Sequence, residues 1–274
     1  MMSGETEGER DLELRSGSTR VRVSGSGRAF VWTHGFTSSM ASEDALGTSG
    51  LLRGLPGIHL IRYDARGHGR SAAGLDEAAS AWPALGADLV ELCDRLELAR
   101  PIAGGASMGV ATALHAALRE PARFAALVLV MPPSAWETRQ TQSDLYRAGA
   151  ALVEARGVEA YLGAMRAAFR ARPIPGFDLA MQEKLLDGMR AKTAPELARL
   201  LRGAAASDLP SAAALSTLEL PTLLPPIRDD PGHPLSTAER LAGIMRGAEL
   251  HVLRDASELA RSGDVVARFL TRLG

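Results

Sequence analysis

The stretch RPIAGGASMG, residues 100–109, runs directly into VATALHAALREP, residues 110–121. The first is a short apolar run ending in glycines, and the second has helical spacing of its apolar residues. Together they predict a strand that turns sharply into a helix, with Ser107 at the apex. Gly105-Ala106-Ser107-Met108-Gly109 is a G-x-S-x-G pentapeptide. The pattern is common by chance and gains meaning only between a strand and a helix. There the serine sits in a strained backbone conformation, and the positions two before and two after approach neighbouring backbone too closely to carry a Cβ. The Ser107 hydroxyl is then held above the sheet, and the Met108 N–H points at an oxygen reacting there.

Outward from this turn the chain alternates strands and helices. RAFVWTHG (28–35), GIHLIRYD (57–64) and FAALVLVMPP (124–133) read as buried strands, and EAASAWPALGADLVELCDRLEL (77–98) as a helix with Pro83 near its first turn. Residues 11–24 read as an antiparallel hairpin. The polar, acidic start MMSGETEGERDLELR reads as a frayed tail, not a signal peptide. The rhythm breaks over residues 135–211, which hold amphipathic helices and no convincing buried strand. LPTLLPPI (220–227) and AELHVL (248–253) resume the strands. STAERLAGIM between them is a helix, with Ser236 expected as N-cap three residues before Glu239. The expectation is an α/β core over 1–134 and 212–274 with a mostly parallel sheet covered on both faces, interrupted by a helical cap over 135–211.

A net charge of −1 argues against a nucleic-acid or anionic-membrane partner. No apolar run approaches the roughly 20 residues of a membrane helix. Cys93 is the only cysteine, which excludes an internal disulfide and fits a reducing cytoplasm. It reads as buried filler in its helix. The histidines lack paired ligand spacing, so neither a metal nor another cofactor is expected. The expected partner is a small-molecule substrate, and a homodimer is left open.

The elbow, THGF (33–36), YDARGHGRS (63–71) and the helical insert together resemble the α/β-hydrolase superfamily, above all capped bacterial esterases and enol-lactonase-like enzymes. The resemblance covers about residues 11–274. It implies Ser107 as nucleophile and the Phe36 and Met108 N–H groups as oxyanion donors. His34 and His68 read as structural, with His34, beside the elbow, also kept as a candidate substrate contact. It further implies an acid after the next-to-last strand, where PTLLPPIRDDPGHP places Asp230 with Asp229 as the adjacent fallback. Ile227 stands at the usual glycine position, and Pro225-Pro226 cannot donate ladder hydrogen bonds, so a distorted strand end is expected.

The family's base is a histidine shortly after the last strand. HVLRDASELARSG (251–263) supplies Glu258 there. A serine hydroxyl needs a neutral imidazole to take its proton, and a glutamate, whose carboxyl in water titrates at about 4.3, is a much weaker base. Of the other histidines, His251 is expected to pack inside its strand, His115 points away on the following helix, and His59 starts a strand at the far end. His233 follows Asp230 by three residues at the correct edge of the sheet. The candidate bases are therefore His233 and Glu258. In the cap, Trp136, Tyr146 and Tyr161 are the candidate pocket residues because each has a polar edge on an apolar body.

Three readings follow. The first is hydrolysis of a small carboxylic ester or lactone through Ser107 with an atypical base. The second is a non-hydrolytic isomerase, cyclase or lyase with Asp230 and Glu258 as acid and base at the same oxyanion hole. The third is a ligand-binding pseudoenzyme.

Overall fold

The computed structural model describes residues 7–72 and 76–273. Its sheet has eight strands: β1 (Glu7–Leu14), β2 (Gly17–Gly25), β3 (Arg28–Thr33), β4 (Ile58–Tyr63), β5 (Ile102–Ala106), β6 (Ala126–Val130), β7 (Thr222–Leu224) and β8 (Ala248–Leu250). The spatial order is β1-β2-β4-β3-β5-β6-β7-β8. β2 pairs antiparallel with both β1 and β4, and every pair from β4–β3 onward is parallel. After β3 the chain steps first to β4 on one side and then across to β5 on the other. The carboxyl ends of β3 and β5 therefore border the crevice where open α/β sheets bind ligands.

Period-two alternation divides the core into two layers. Val31, Ala103, Leu127 and Leu129 face a cluster closed by helices Trp82–Arg95 and Met108–Arg119, which includes Cys93. Phe30, Trp32, Ile102, Val128 and Val130 face the opposite cluster, closed by helices Ala256–Arg261 and Gly263–Thr271. Every residue of β5 and β6 is buried, as expected for parallel strands covered on both faces.

Three local expectations need correction. The acidic start is strand from Glu7 onward, because its charges meet opposite charges across the ladder: Glu9 faces Arg22 and Asp11 faces Arg20, with Glu9 taking hydrogen bonds from both arginines. Residues 1–6 of the expected tail lie outside the described residues. Helix Leu235–Ile244 is preceded by Pro234, not capped by Ser236; the ring fixes the φ of Pro234 and starts the helix two residues early. His251 is exposed and lies just past β8, since the ladder there uses its backbone N–H to Leu224 rather than its side chain.

β7 ends at Leu224, immediately before Pro225-Pro226. The prolines cannot donate, yet their carbonyls accept from Met131 and Leu253, and Ile227 makes a single bridge to Leu253. Between β6 and β7 the described structure is helical: Arg139–Arg156, Val158–Ala171, Leu179–Leu185, Asp187–Arg190 and Ala194–Ala205. Among the described residues no helix is long and apolar enough to cross a membrane.

The segment 63–71 is a loop bonded to itself. Asp64 Oδ1 accepts the buried Met40 N–H at 2.8 Å, and Oδ2 accepts from Arg70 at 2.9 Å. Gly69 is at φ +49°, and a Cβ there would lie 2.1 Å from Asp64 Oδ2. Arg62 bonds the Met40 carbonyl, Glu43 and Asp44. These contacts hold the start of helix Met40–Leu46, and with it the turn that leaves β3. Asp64→Ala would strand two backbone donors, so a loss of about 2–4 kcal/mol is expected in urea unfolding; a loss below about 0.5 kcal/mol would show that the loop is held by other contacts.

Candidate active site

Ser107 sits at φ 52°, ψ −107°, in the strained region where a non-glycine residue needs its surroundings to hold it. Three contacts do so. The Ser107 N–H donates to the Val130 carbonyl at 3.0 Å. β5 lies in parallel register with β3, Gly105 opposite Thr33. A Cβ on Gly105 would lie 2.5 Å from the Thr33 carbonyl oxygen, and one on Gly109 would lie 2.1 Å from it. Both glycines are thus required by the close approach of β3. The helix beginning at Met108 directs its free N–H groups and positive end at the serine.

Gly35, Phe36 and Thr37 leave β3 beside the elbow, and a Cβ on Gly35 would lie 3.7 Å from the Ser107 Cβ. His34 is fully internal. Its Nδ1 donates to the Gly35 carbonyl at 2.8 Å, and its Nε2 accepts the Ala65 N–H at 3.0 Å. Burial drives its pKa down to about 4, so the ring is neutral and both nitrogens are occupied. His34 does not line the cavity over Ser107. It ties the turn after β3 to the 63–71 loop, which is a structural task and not substrate contact. His68, 5.2 Å away ring to ring, is also buried, with its pKa pushed down to about 3.

Asp230 and His233 come from one turn after β7. Asp230 Oδ2 lies 2.8 Å from His233 Nδ1, and Oδ1 accepts the Gly232 N–H at 2.8 Å. Both residues line the same cavity as Ser107. Burial alone would lower the pKa of His233, but the adjacent carboxylate outweighs it and raises the value above the ordinary 6.5. Burial pushes Asp230 the other way, and the imidazole and two backbone N–H groups overcome that and hold it ionised. With Nδ1 committed to Asp230, Nε2 is the nitrogen left to exchange a proton. Asp229, the fallback acid, is exposed at φ 60°.

Glu258 is not brought to this cavity. Its Oε2 accepts from the Arg254 N–H at 2.7 Å and from Arg254 Nε at 3.1 Å, while its own N–H donates to Asp255 Oδ1. The Arg254 hydrogen bonds hold its carboxyl below the usual range. It lies in the first turn of the short helix Ala256–Arg261, which Asp255 caps, and the next residue, Leu259, faces the cavity instead. Trp136 is also diverted. Its Nε1 donates to the Pro210 carbonyl, its N–H bonds Asp208, and Arg240 covers its ring at 4.6 Å. Tyr146 and Tyr161 do line the cavity, and Tyr146 packs on Phe36 at 5.3 Å.

The cavity measures about 600 Å³ and lies between the sheet and the helical insert. Sequence reasoning missed several of its walls. Trp32, Leu46 and Leu51 come from the β3 side, and Arg139 from the first residue of its insert helix. Nothing in their local spacing marks them, because they meet only through tertiary packing.

A model of the alpha/beta hydrolase fold family matches residues 28–260. The chain is 32% identical over 205 residues to "Putative carbamate hydrolase RutD" of Variovorax paradoxus (strain S110), covering 72% of this chain and 73% of that protein. Among solved structures it is similar to a thermophilic esterase from Thermogutta terrifontis, with a TM-score of 0.77 and 20% identity over 97% of this chain and 99% of that one. It is also similar to the enol-lactonase of Burkholderia xenovorans LB400, with a TM-score of 0.78 and 20% identity over 96% of this chain and 100% of that one. With the glycine-flanked strand-to-helix turn at Ser107 and the mostly parallel sheet, the family match establishes that this chain belongs to the alpha/beta hydrolase fold family.

Proposed function

We propose that the protein hydrolyses carboxylic esters or lactones through Ser107, with His233 as general base and Asp230 as the carboxylate that orients it. The observation that carries this reading is the 2.8 Å Asp230–His233 pair lining the same cavity as the elbow serine. Nδ1–H bonded to Asp230 leaves Nε2 as the basic nitrogen. In the first step Nε2 takes the Ser107 proton as Oγ attacks the carbonyl carbon. The developing oxyanion is stabilised by the Phe36 and Met108 N–H groups. The imidazolium, held beside Asp230, then protonates the leaving oxygen. Water, deprotonated by the same nitrogen, releases the acid from Ser107. The helical insert over 135–211 acts as the lid that shapes the substrate chamber.

This reading moves the base from the loop after β8 to the loop after β7. The non-hydrolytic reading required Glu258 next to Asp230, and Glu258 bonds Arg254 outside the cavity instead. The proposed pair also accounts for why a carboxyl at 258 is tolerated: it stabilises a helix start and needs no proton-transfer role.

Turnover of p-nitrophenyl esters is expected in the wild type, with kcat falling about 10⁴- to 10⁶-fold in Ser107→Ala and in His233→Ala. Normal activity in His233→Ala would sink the assignment of the base. Glu258→Ala is expected to change kcat/KM less than threefold, and Glu258→His to restore nothing. A pH profile gives a separate check. The base works only when neutral, and Asp230 raises its pKa, so the acid limb of kcat/KM should lie above pH 6.5. Asp230→Asn removes that carboxylate and should shift the limb downward while lowering kcat about 10⁴-fold.

A further inference from the structure

We propose that the substrate of this site carries a carboxylate besides its ester or lactone bond, and that Arg139 and Ser134, in the chamber wall, bind it. The proposal rests on the hydrolase reading only for where the scissile carbonyl sits. Two buried polar atoms in that wall lack a partner: Ser134 Oγ and Arg139 Nη1. Folded proteins pair nearly all of their buried polar groups, so two unpaired ones lining one cavity mark the place of a ligand group. Both belong to the stretch that leaves β6. That strand ends at Val130, whose carbonyl accepts the Ser107 N–H at 3.0 Å. Ser134 follows, and Arg139 opens helix Arg139–Arg156.

Arg139 is only 4% exposed, and a guanidinium keeps its charge in the interior. Two of its nitrogens serve the end of helix Ala194–Ala205: Nε donates to the Ser207 carbonyl at 2.7 Å and Nη2 to the Ala204 carbonyl. That structural task leaves Nη1 unused and supplies only the partial negative charge of a helix end. The Trp82 ring, 4.1 Å away, and the Tyr146 ring, 5.5 Å away, add their π faces. Asp208 attracts the guanidinium without bonding it, because its carboxylate already accepts the Trp136 and Leu209 N–H groups. Burial holds the pKa of Arg139 below the ordinary guanidinium value, as it does for a cation short of counter-charge. The acids of the chamber have their own partners: Glu43 bonds Arg62, and Asp230 bonds His233. Arg172 adds a second positive charge at the rim, exposed to water. The unpaired charge of the chamber is therefore positive.

One substrate can reach both this cation and the serine. The Arg139 guanidinium lies against Tyr146, and Tyr146 packs on Phe36 at 5.3 Å. Phe36 follows Gly35, where a Cβ would lie 3.7 Å from the Ser107 Cβ. Two aromatic rings thus separate the guanidinium from the elbow. Arg139, Gln142 and Tyr146 recur at three- and four-residue spacing and share one helix face, and all three line the cavity. The Arg139 Nη1 hydrogens and the Ser134 hydroxyl match the acceptor oxygens of a carboxylate, through charge-assisted hydrogen bonds. A hydrocarbon tail would leave both atoms unpaired in the wall.

The test compares p-nitrophenyl esters that end in a carboxylate, the monoesters of hexanedioate and octanedioate, with neutral esters of the same shape, 6-methylheptanoate and 8-methylnonanoate. A hydrogen bond between charged groups contributes on the order of tenfold to a hundredfold. The ratio of kcat/KM, charged over neutral, is expected to be at least tenfold for one of the two pairs in the wild type. It should fall at least tenfold in Arg139→Gln and about threefold in Ser134→Ala, and change less than threefold in Arg172→Gln. A folding defect lowers both esters of a pair alike and leaves the ratio unmoved; should Arg139→Gln fail to fold, Ser134→Ala still reads the subsite. A wild-type ratio below tenfold for both pairs, or a preference that Arg139→Gln and Ser134→Ala leave intact, would overturn the proposal, and loss of the preference in Arg172→Gln alone would move the anion to the rim. Calorimetric titration of the Ser107→Ala variant with monomethyl and dimethyl hexanedioate separates this proposal from the hydrolase reading. Selective binding of the monoanion without wild-type turnover would reject the hydrolase and keep the subsite. Ester turnover without any charge preference would do the reverse.

Discussion

The end of β3 and the elbow after β5 press together so closely that the Thr33 carbonyl leaves no room for a side-chain carbon at Gly105 or Gly109. Most of the site depends on that contact. It requires parallel register between β3 and β5, and it forces the chain at Ser107 into a left-handed turn that only tertiary support can hold. It brings the turn carrying Phe36 beside the serine, because both leave the sheet at neighbouring strand ends. The strain at one residue is thus carried by the hydrogen bond from Ser107 to Val130 and by the packing of β3, β5 and β6.

The same geometry explains which histidines are scaffold. His34 uses both ring nitrogens to join the turn after β3 to the 63–71 loop, and burial keeps it neutral. Asp64 then links that loop to helix Met40–Leu46. This closed circuit of short contacts fixes the turn that carries Phe36 beside Ser107. Gly188 extends it into the insert: a Cβ there would lie 1.8 Å from the Thr37 carbonyl, so the insert bears directly on the turn after β3.

The loop after β8 is a structural joint. Asp255 caps helix Ala256–Arg261, Glu258 bonds back to Arg254, and the Ala256 N–H donates to Pro175 of the insert. Gly176, at φ +81°, lies so close that a Cβ would sit 2.8 Å from the Ala256 nitrogen. The histidine that lines the cavity over Ser107 comes from the loop after β7 instead. Pro225 and Pro226 end the ladder early, the chain turns at Asp229, and His233 folds back onto Asp230 within one turn.

Periodicity and local sterics made much of this legible in the amino-acid order. Alternating apolar runs, the paired glycines around Ser107 and the break in rhythm over 135–211 report interactions within a few residues, or between a residue and the nearest backbone. Asp230 and His233 were visible as neighbours because three residues and a turn separate them. Other features were settled by packing between distant segments. Glu258 and Trp136 stand in the right places along the chain, but a side chain's direction depends on which partner claims it, and here Arg254 and Pro210 do. Arg139, Leu51 and Leu259 meet in one chamber although nothing in their spacing connects them. The sequence by itself determined the alternation of strands and helices and the position of the glycine-flanked turn at Ser107, because both are written in local residue patterns. The tertiary structure alone decided which groups face the cavity, because that depends on contacts between segments far apart in the chain.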